Sequence, residues 1–173
     1  MIYKGSEQIQ DIYIGGTKIE EIYHGSELVY GSGYPTGTVL FESGTPGTYT
    51  LVVDKRCTAR LNMCGAGGNG STIHMGGSGG YIYGNLEITA GTYTIVVGAA
   101  GGGNSSFKEN VAGGGGNASN HGDGSGGTCV VVSSGLTGSN GTSGSTTGRI
   151  NGYGAGGSFV GTGASGYCKI EVL

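Results

Sequence analysis

The chain has 173 residues, 43 of them glycine, with 11% charged residues and a formal net charge of −3. Its few Lys and Arg residues are scattered, so no basic patch stands ready to neutralise phosphates, and nucleic acid is excluded as a partner. No apolar run approaches the roughly 20 residues needed to span a bilayer, and the N-terminus lacks the basic start and hydrophobic stretch of a secretory signal, so the expectation is a chain made in the cytoplasm and not inserted in a membrane.

Residues 2 to 31 carry a repeat of ten: Ile2-Tyr3-Lys4-Gly5-Ser6, Ile12-Tyr13-Ile14-Gly15-Gly16 and Ile22-Tyr23-His24-Gly25-Ser26, each followed by a polar and aliphatic stretch. Gly-Ser and Gly-Gly suit two-residue hairpin turns, which predicts a meander of short strands at 2–4, 7–14, 17–24 and 27–30. A unit this small needs to pack on something else, so residues 1–33 are expected to be an attachment module. Gly31-Ser32-Gly33-Tyr34-Pro35 reads as a linker, and a second domain is predicted over 34–173.

That domain opens with Thr38-Val39-Leu40-Phe41. Its segment Gly47-Thr48-Tyr49-Thr50-Leu51-Val52-Val53 returns almost letter for letter as Gly91-Thr92-Tyr93-Thr94-Ile95-Val96-Val97, alternating and rich in β-branched and aromatic residues, so the two are expected to be equivalent strands. Further strands are predicted at 56–64, 81–89, 128–133 and 167–173, and no helical pattern is present. Between them the glycines are phased. Gly65, Gly67, Gly68 and Gly70, then Gly76, Gly77, Gly79 and Gly80, leave side chains only at every third place, at Ala66, Asn69 and Ser78.

A period of three is that of the polyproline II helix, which makes no internal hydrogen bonds and needs lateral neighbours to satisfy its backbone. Glycine allows such helices to approach closely enough to bond to one another, which predicts a core built largely of backbone. Collagen is excluded by two prolines and a phase that breaks at 98–103 and 113–116. A calcium-binding G-G-x-G-x-D repeat is excluded because 65–166 holds a single aspartate, Asp123. A disordered glycine-serine linker does not fit strand segments that recur throughout. The fold class is therefore all-β: a short N-terminal meander followed by a glycine-rich β-sandwich with packed polyglycine II-type helices and no α-helix.

Catalytic and metal chemistry find little to work with, and neither an enzyme nor a cofactor is expected. Cys57, Cys64, Cys129 and Cys168 lack C-x-x-C spacing and have no histidine pair at zinc-site intervals. Alternation puts Cys57 with Ala59, Leu61 and Met63, and Cys168 with Ile170 and Val172, where a thiol acts as a small hydrophobe. His74 and His121 fall in loops as solvated or hydrogen-bonded histidines. Glu109 and Asp123, the loop carboxylates, have nothing to make them face each other as a glycosidase pair must. No Ser, His and Asp arrangement has a strand-turn-helix setting. The N-x-S/T sites beginning at Asn69, Asn104, Asn117 and Asn140 follow from composition.

Several segments together carry a resemblance: Leu61-Asn62-Met63-Cys64-Gly65-Ala66-Gly67-Gly68, Gly79-Gly80-Tyr81, Leu86-Glu87-Ile88-Thr89-Ala90-Gly91 running on to Gly98, Gly113 to Gly116, and Gly166-Tyr167-Cys168-Lys169-Ile170-Glu171-Val172-Leu173. Over roughly 37–173 the chain resembles the glycine-rich domains of bacteriophage tail proteins. The same general pattern occurs in some extracellular animal receptor domains, and a related polyglycine sandwich forms the tail-fibre tip adhesin of T-even-like phages. The N-terminal repeat separately resembles segments of phage tail and fibre proteins. The chain has no long shaft and no coiled coil, so the resemblance implies a tip or add-on component.

In the related adhesins, loops joining the glycine helices contact the bacterial surface. Here the counterparts are 72–75, 107–110, 117–123, 136–153 and 158–160, and the resemblance implies receptor contacts among His74, Met75, Phe107, Asn120, His121, Arg149, Tyr153 and Phe159. Aromatic and apolar residues among small polar ones can stack on a sugar or press on a protein loop. Phe107 and Phe159 could equally fold back to cap the glycine lattice. The implied partners are a host cell-surface glycan or protein and, through residues 1–33, other virion proteins. The implied location is the virion, and a homotrimer is one assembly the resemblance allows. The alternative is a purely structural head fibre or decoration protein with the same fold.

Overall fold

The computed structural model describes residues 33–173 throughout and, among the first 31, the backbone of the strands and turn named here. The chain divides into two compact units, Met1–Tyr34 and Pro35–Leu173. Among its described residues the first holds three two-stranded antiparallel ladders: β1 (Tyr3–Lys4) with β2 (Glu7–Gln8), β3 (Ile12–Ile14) with β4 (Thr17–Ile19), and β5 (Glu21–His24) with β6 (Glu27–Gly31). Gly15 and Gly16 turn β3 into β4 with φ of 58° and 84°, the doubly left-handed turn that matches strand twist. The expected turns at Gly5-Ser6 and Gly25-Ser26, and the expected strand residues 2, 9–11 and 20, lie outside the described residues.

The second unit is all-β and has two five-stranded antiparallel sheets. Its strands are β7 (Val39–Ser43), β8 (Gly47–Val53), β9 (Cys57–Cys64), β10 (Tyr81–Ile88), β11 (Gly91–Val97), β12 (Ser105–Phe107), β13 (Asn110–Ala112), β14 (Cys129–Val130), β15 (Leu136–Ser139) and β16 (Tyr167–Val172). One sheet runs β15-β10-β9-β16-β7, and the other runs β14-β13-β12-β11-β8. Side chains alternate across each strand, so Leu51 and Val53, Ala59, Leu61 and Met63, Ile82, Leu86 and Ile88, Ile95 and Val97, and Ile170 and Val172 are buried between the sheets. The repeated segments are β8 and β11, which lie side by side in one ladder.

Three elements differ from the sequence expectation, the first being Leu136–Ser139, expected within a displayed loop over 136–153 but paired antiparallel with β10 as β15. Residues 105–112 form the hairpin β12–β13 rather than a displayed loop, and its turn is Lys108-Glu109, with φ of 47° and 63°. Such a turn ordinarily announces itself by Asn or Gly, which is why it is invisible in the sequence. The strand expected over 128–133 pairs only at Cys129–Val130. Beyond it the fully buried Asn110 accepts the N–H groups of Val132 and Ser133 at 2.8 and 3.0 Å and bends the chain out of the sheet.

The glycine runs 65–70, 76–80, 113–118, 124–128, 140–145, 154–158 and 161–166 extend from the ends of these strands as parallel and antiparallel rods, with 98–103 covering one side. Their hydrogen bonds repeat every third residue. Gly65 and Gly68 donate to Gly80 and Gly77 at 3.0 and 2.9 Å, while Gly67 and Gly70 both donate at 2.8 Å, to Ala164 and Gly161. One run over, Gly76 and Gly79 donate to Gly157 and Gly154 at 2.9 and 2.8 Å, and Gly77 and Gly80 to Gly116 and Gly113 at 3.0 and 2.8 Å. Each rod thus faces different neighbours on successive residues and the same neighbour every third one, which is the polyglycine II arrangement. These bonds satisfy amides that sit away from water and that no sheet reaches.

Candidate functional site

The rods leave the sandwich near residues 65, 80, 113, 128 and 166 and turn back at their far end through three loops, 71–75, 119–123 and 158–160. Hydrogen bonds tie these loops together, with Ser71 at the centre. Its carbonyl accepts the Val160 N–H at 2.8 Å, its hydroxyl donates to the Ser119 carbonyl at 3.0 Å, and its N–H donates to the His74 carbonyl at 2.8 Å. Asp123 joins two of the loops a second time: one carboxylate oxygen accepts the Met75 N–H at 2.9 Å and lies 3.3 Å from His74 Nδ1. Asn69, just below, accepts from Gly163 at 3.1 Å and from Ala118 at 2.8 Å. The far end of the lattice is therefore one connected surface on a rigid base.

That surface carries large apolar side chains in the open. Ile73 is 62% exposed, Phe159 55% and Val160 76%. Val160 also has a φ of 53°, a conformation a β-branched residue adopts only under constraint, and the bonds from Val160 to Ser71 and from Gly161 to Ser158 at 2.7 Å hold it there. Strain of this kind costs of order 1–3 kcal/mol, and observed strain is a pointer to function. The three loops contain no Lys or Arg, and their ionisable side chains are His74, His121 and Asp123. This end therefore offers shape, apolar area and hydrogen-bonding groups, with no Lys or Arg and one carboxylate, Asp123.

Five of the eight residues expected at a receptor site come together here: His74 and Met75 half-buried, and Asn120, His121 and Phe159 exposed. The other three do not. Phe107 is a correction. It is 1% exposed, points inward from β12 and packs at 5.7 Å from the Tyr93 ring, because 105–112 is a hairpin whose alternation turns this side chain into the core. Arg149 is half-buried and already committed, its Nε donating to the Gly79 carbonyl at 3.2 Å and its Nη2 to the Asn140 carbonyl at 2.9 Å, so it clips rods together near the sheet. Tyr153 is stacked on Tyr167 at 5.0 Å and is part of the packing on the first sheet. The organising roles of Ser71 and Asp123 have no sequence signal beyond their loop positions.

The cysteines are free. Cys64 and Cys168 are buried, and Cys57 and Cys129 half-buried. Burial pushes the Cys64 thiol up to about 12 and raises Cys168 further, so both stay protonated and act as small apolar side chains. Among the described residues no three His, Cys, Asp or Glu side chains gather as metal ligands would. No helix among them is long and apolar enough to cross a membrane. No protein family, no curated protein and no solved structure matches the chain.

Proposed function

We propose that this chain is a phage virion protein, a tail-tip or fibre component that binds a host cell-surface receptor through the loops at the far end of its glycine lattice. The observation that supports this reading is the exposure of Ile73, Phe159 and Val160 on two loops that Ser71 ties together, at the end of the lattice away from the sandwich. Large apolar side chains gathered at one end of a domain point to a partner, and loops carried on a stiff scaffold are where binding residues concentrate. The scaffold contributes by preorganisation: loops already held by Ser71 and Asp123 lose little conformational entropy when they meet a receptor. The reading also rests on the resemblance of residues 37–173 to tail-fibre tip adhesins, with residues 1–33 docking on the particle. It needs no catalytic group.

The test is binding of the fluorescently labelled full chain to a panel of bacterial strains, with the variant Phe159→Ser/Val160→Ser in parallel. The expected result is strain-selective binding that the variant loses while its melting temperature stays within a few degrees. Absence of binding to every strain would sink the adhesin reading in favour of a structural virion role.

A further inference from the structure

The two nearly identical segments of the sequence have a consequence outside the tip. β8 and β11 pair antiparallel with Thr50 opposite Thr94, Thr48 opposite Val96 and Val52 opposite Thr92, so the ladder is symmetric about its centre. In terms of the repeated sequence, the first threonine faces the sixth residue and the middle one faces its own counterpart. The segment Gly-Thr-Tyr-Thr-Leu/Ile-Val-Val thus pairs with a copy of itself, in register, inside this fold.

β8 is also the outermost strand of its sheet. Edge strands invite pairing and are usually blunted by shortness, charge, proline or a bulge. The other three edges of the second unit have such features: β14 is two residues long, β15 is four residues with Gly138 inside it, and β7 carries Glu42 and pairs through a register shift at Ile170/Glu171. β8 has none. It spans seven residues without charge, proline or bulge, and its outward face presents Thr48, Thr50 and Val52, the last 60% exposed.

We propose that the free edge of β8 pairs with β8 of a second copy of this chain, in the register of the internal ladder. Thr50 then lies opposite Thr50 of the partner, and Thr48 opposite the partner's Val52, about a two-fold axis. The contact is isologous and closes on itself, joining two sheets into one of ten strands whose remaining edges are the short β14 strands. Closure also removes the aggregation hazard that an unguarded seven-residue edge would otherwise carry.

The register makes the test specific. In the full chain, Thr48→Lys/Val52→Lys sets like charges opposite each other twice across the two-fold, whereas Thr48→Glu/Val52→Lys sets opposite charges there. Within the chain the cross-strand partners of these positions are the uncharged Val96 and Thr92, so neither variant sets like charges across the internal ladder. Sedimentation equilibrium over a concentration series is expected to give a dimer for the parent, a dissociation constant raised about ten-fold or more by the like-charge variant, and recovery by the opposite-charge variant. Melting curves check that both variants fold. A monomer at all concentrations, a trimer, or a dimer that responds equally to both variants overturns the proposal.

Discussion

Replacing Gly77 by alanine tests the backbone lattice at a point where three rods meet closely. Gly77 lies in the rod 76–80, donates its N–H to Gly116 at 3.0 Å and accepts from Gly68 at 2.9 Å, so it bridges two neighbouring rods. A methyl carbon built on it would stand 1.9 Å from the Ser125 carbonyl oxygen of a third rod and 2.5 Å from that carbonyl carbon. Both are backbone atoms, so no side chain can swing aside. Relief requires the rods to separate by an ångström or more. Overpacking of this kind costs about 1–3 kcal/mol, and each buried amide or carbonyl parted from its partner adds about 1–3 kcal/mol. With two such bonds at risk the expected loss is about 3–9 kcal/mol, a large share of the roughly 5–15 kcal/mol that holds a domain together. Gly122→Ala is the control: nothing lies within 4 Å of its added carbon, and its effect is expected within about 0.5 kcal/mol. Urea unfolding followed by tyrosine fluorescence measures both. A Gly77→Ala variant within about 1 kcal/mol of the parent would refute the claim that the rods pack backbone against backbone.

Three further outcomes follow from particular residues. Asn110→Ala removes donors to the Phe107 and Lys108 carbonyls at 3.1 and 2.9 Å and strands the Val132 and Ser133 amides, for an expected loss of about 3 kcal/mol or more in the same unfolding assay. Val160→Gly relieves a β-branched residue at φ 53° and is expected to raise stability by about 1 kcal/mol while weakening cell binding; a destabilised variant would contradict the strain assignment. Burial raises the Cys64 and Cys168 thiols above their usual value of 9.0, so the folded chain keeps protons that the unfolded chain releases, and stability falls as pH rises from about 9 towards about 12. Each group contributes up to about 1.4 kcal/mol per pH unit in that window, and the urea midpoint is expected to drop between about pH 8 and about pH 10, less so in Cys64→Ala/Cys168→Ala.

Most of the sandwich is legible in the sequence because its strands alternate and its glycines keep phase. Leu51 and Val53 or Ile95 and Val97 announce their buried face, and Ala66, Asn69 and Ser78 announce the three-residue period before any coordinate is known. The hairpin β12–β13 is hidden because Lys108 and Glu109 occupy a turn that seldom lacks glycine, and its concealment misplaced Phe107 at a receptor surface. Strand β15 is hidden because Leu136-Thr137-Gly138-Ser139 has one apolar residue and owes its pairing to β10. The tip is half legible. Loop positions can be read from the gaps between glycine runs, but which gaps converge depends on how many residues each rod spans before turning. That geometry unites 71–75, 119–123 and 158–160 and leaves Arg149 and Tyr153 beside the sheet. The left-handed Val160 gives no sign in sequence at all, since valine is the residue least expected there.

The proposed receptor contact lies at the far end of the lattice and not on a sheet face. Amide hydrogen exchange of the full chain, free and bound to an envelope preparation from a strain it recognises, tests this most directly. Slowed exchange confined to 71–75, 119–123 and 158–160 is expected, with β9, β10 and β16 unchanged. Protection spread over the outer faces of those strands, with the three loops exchanging as in the free chain, would contradict it.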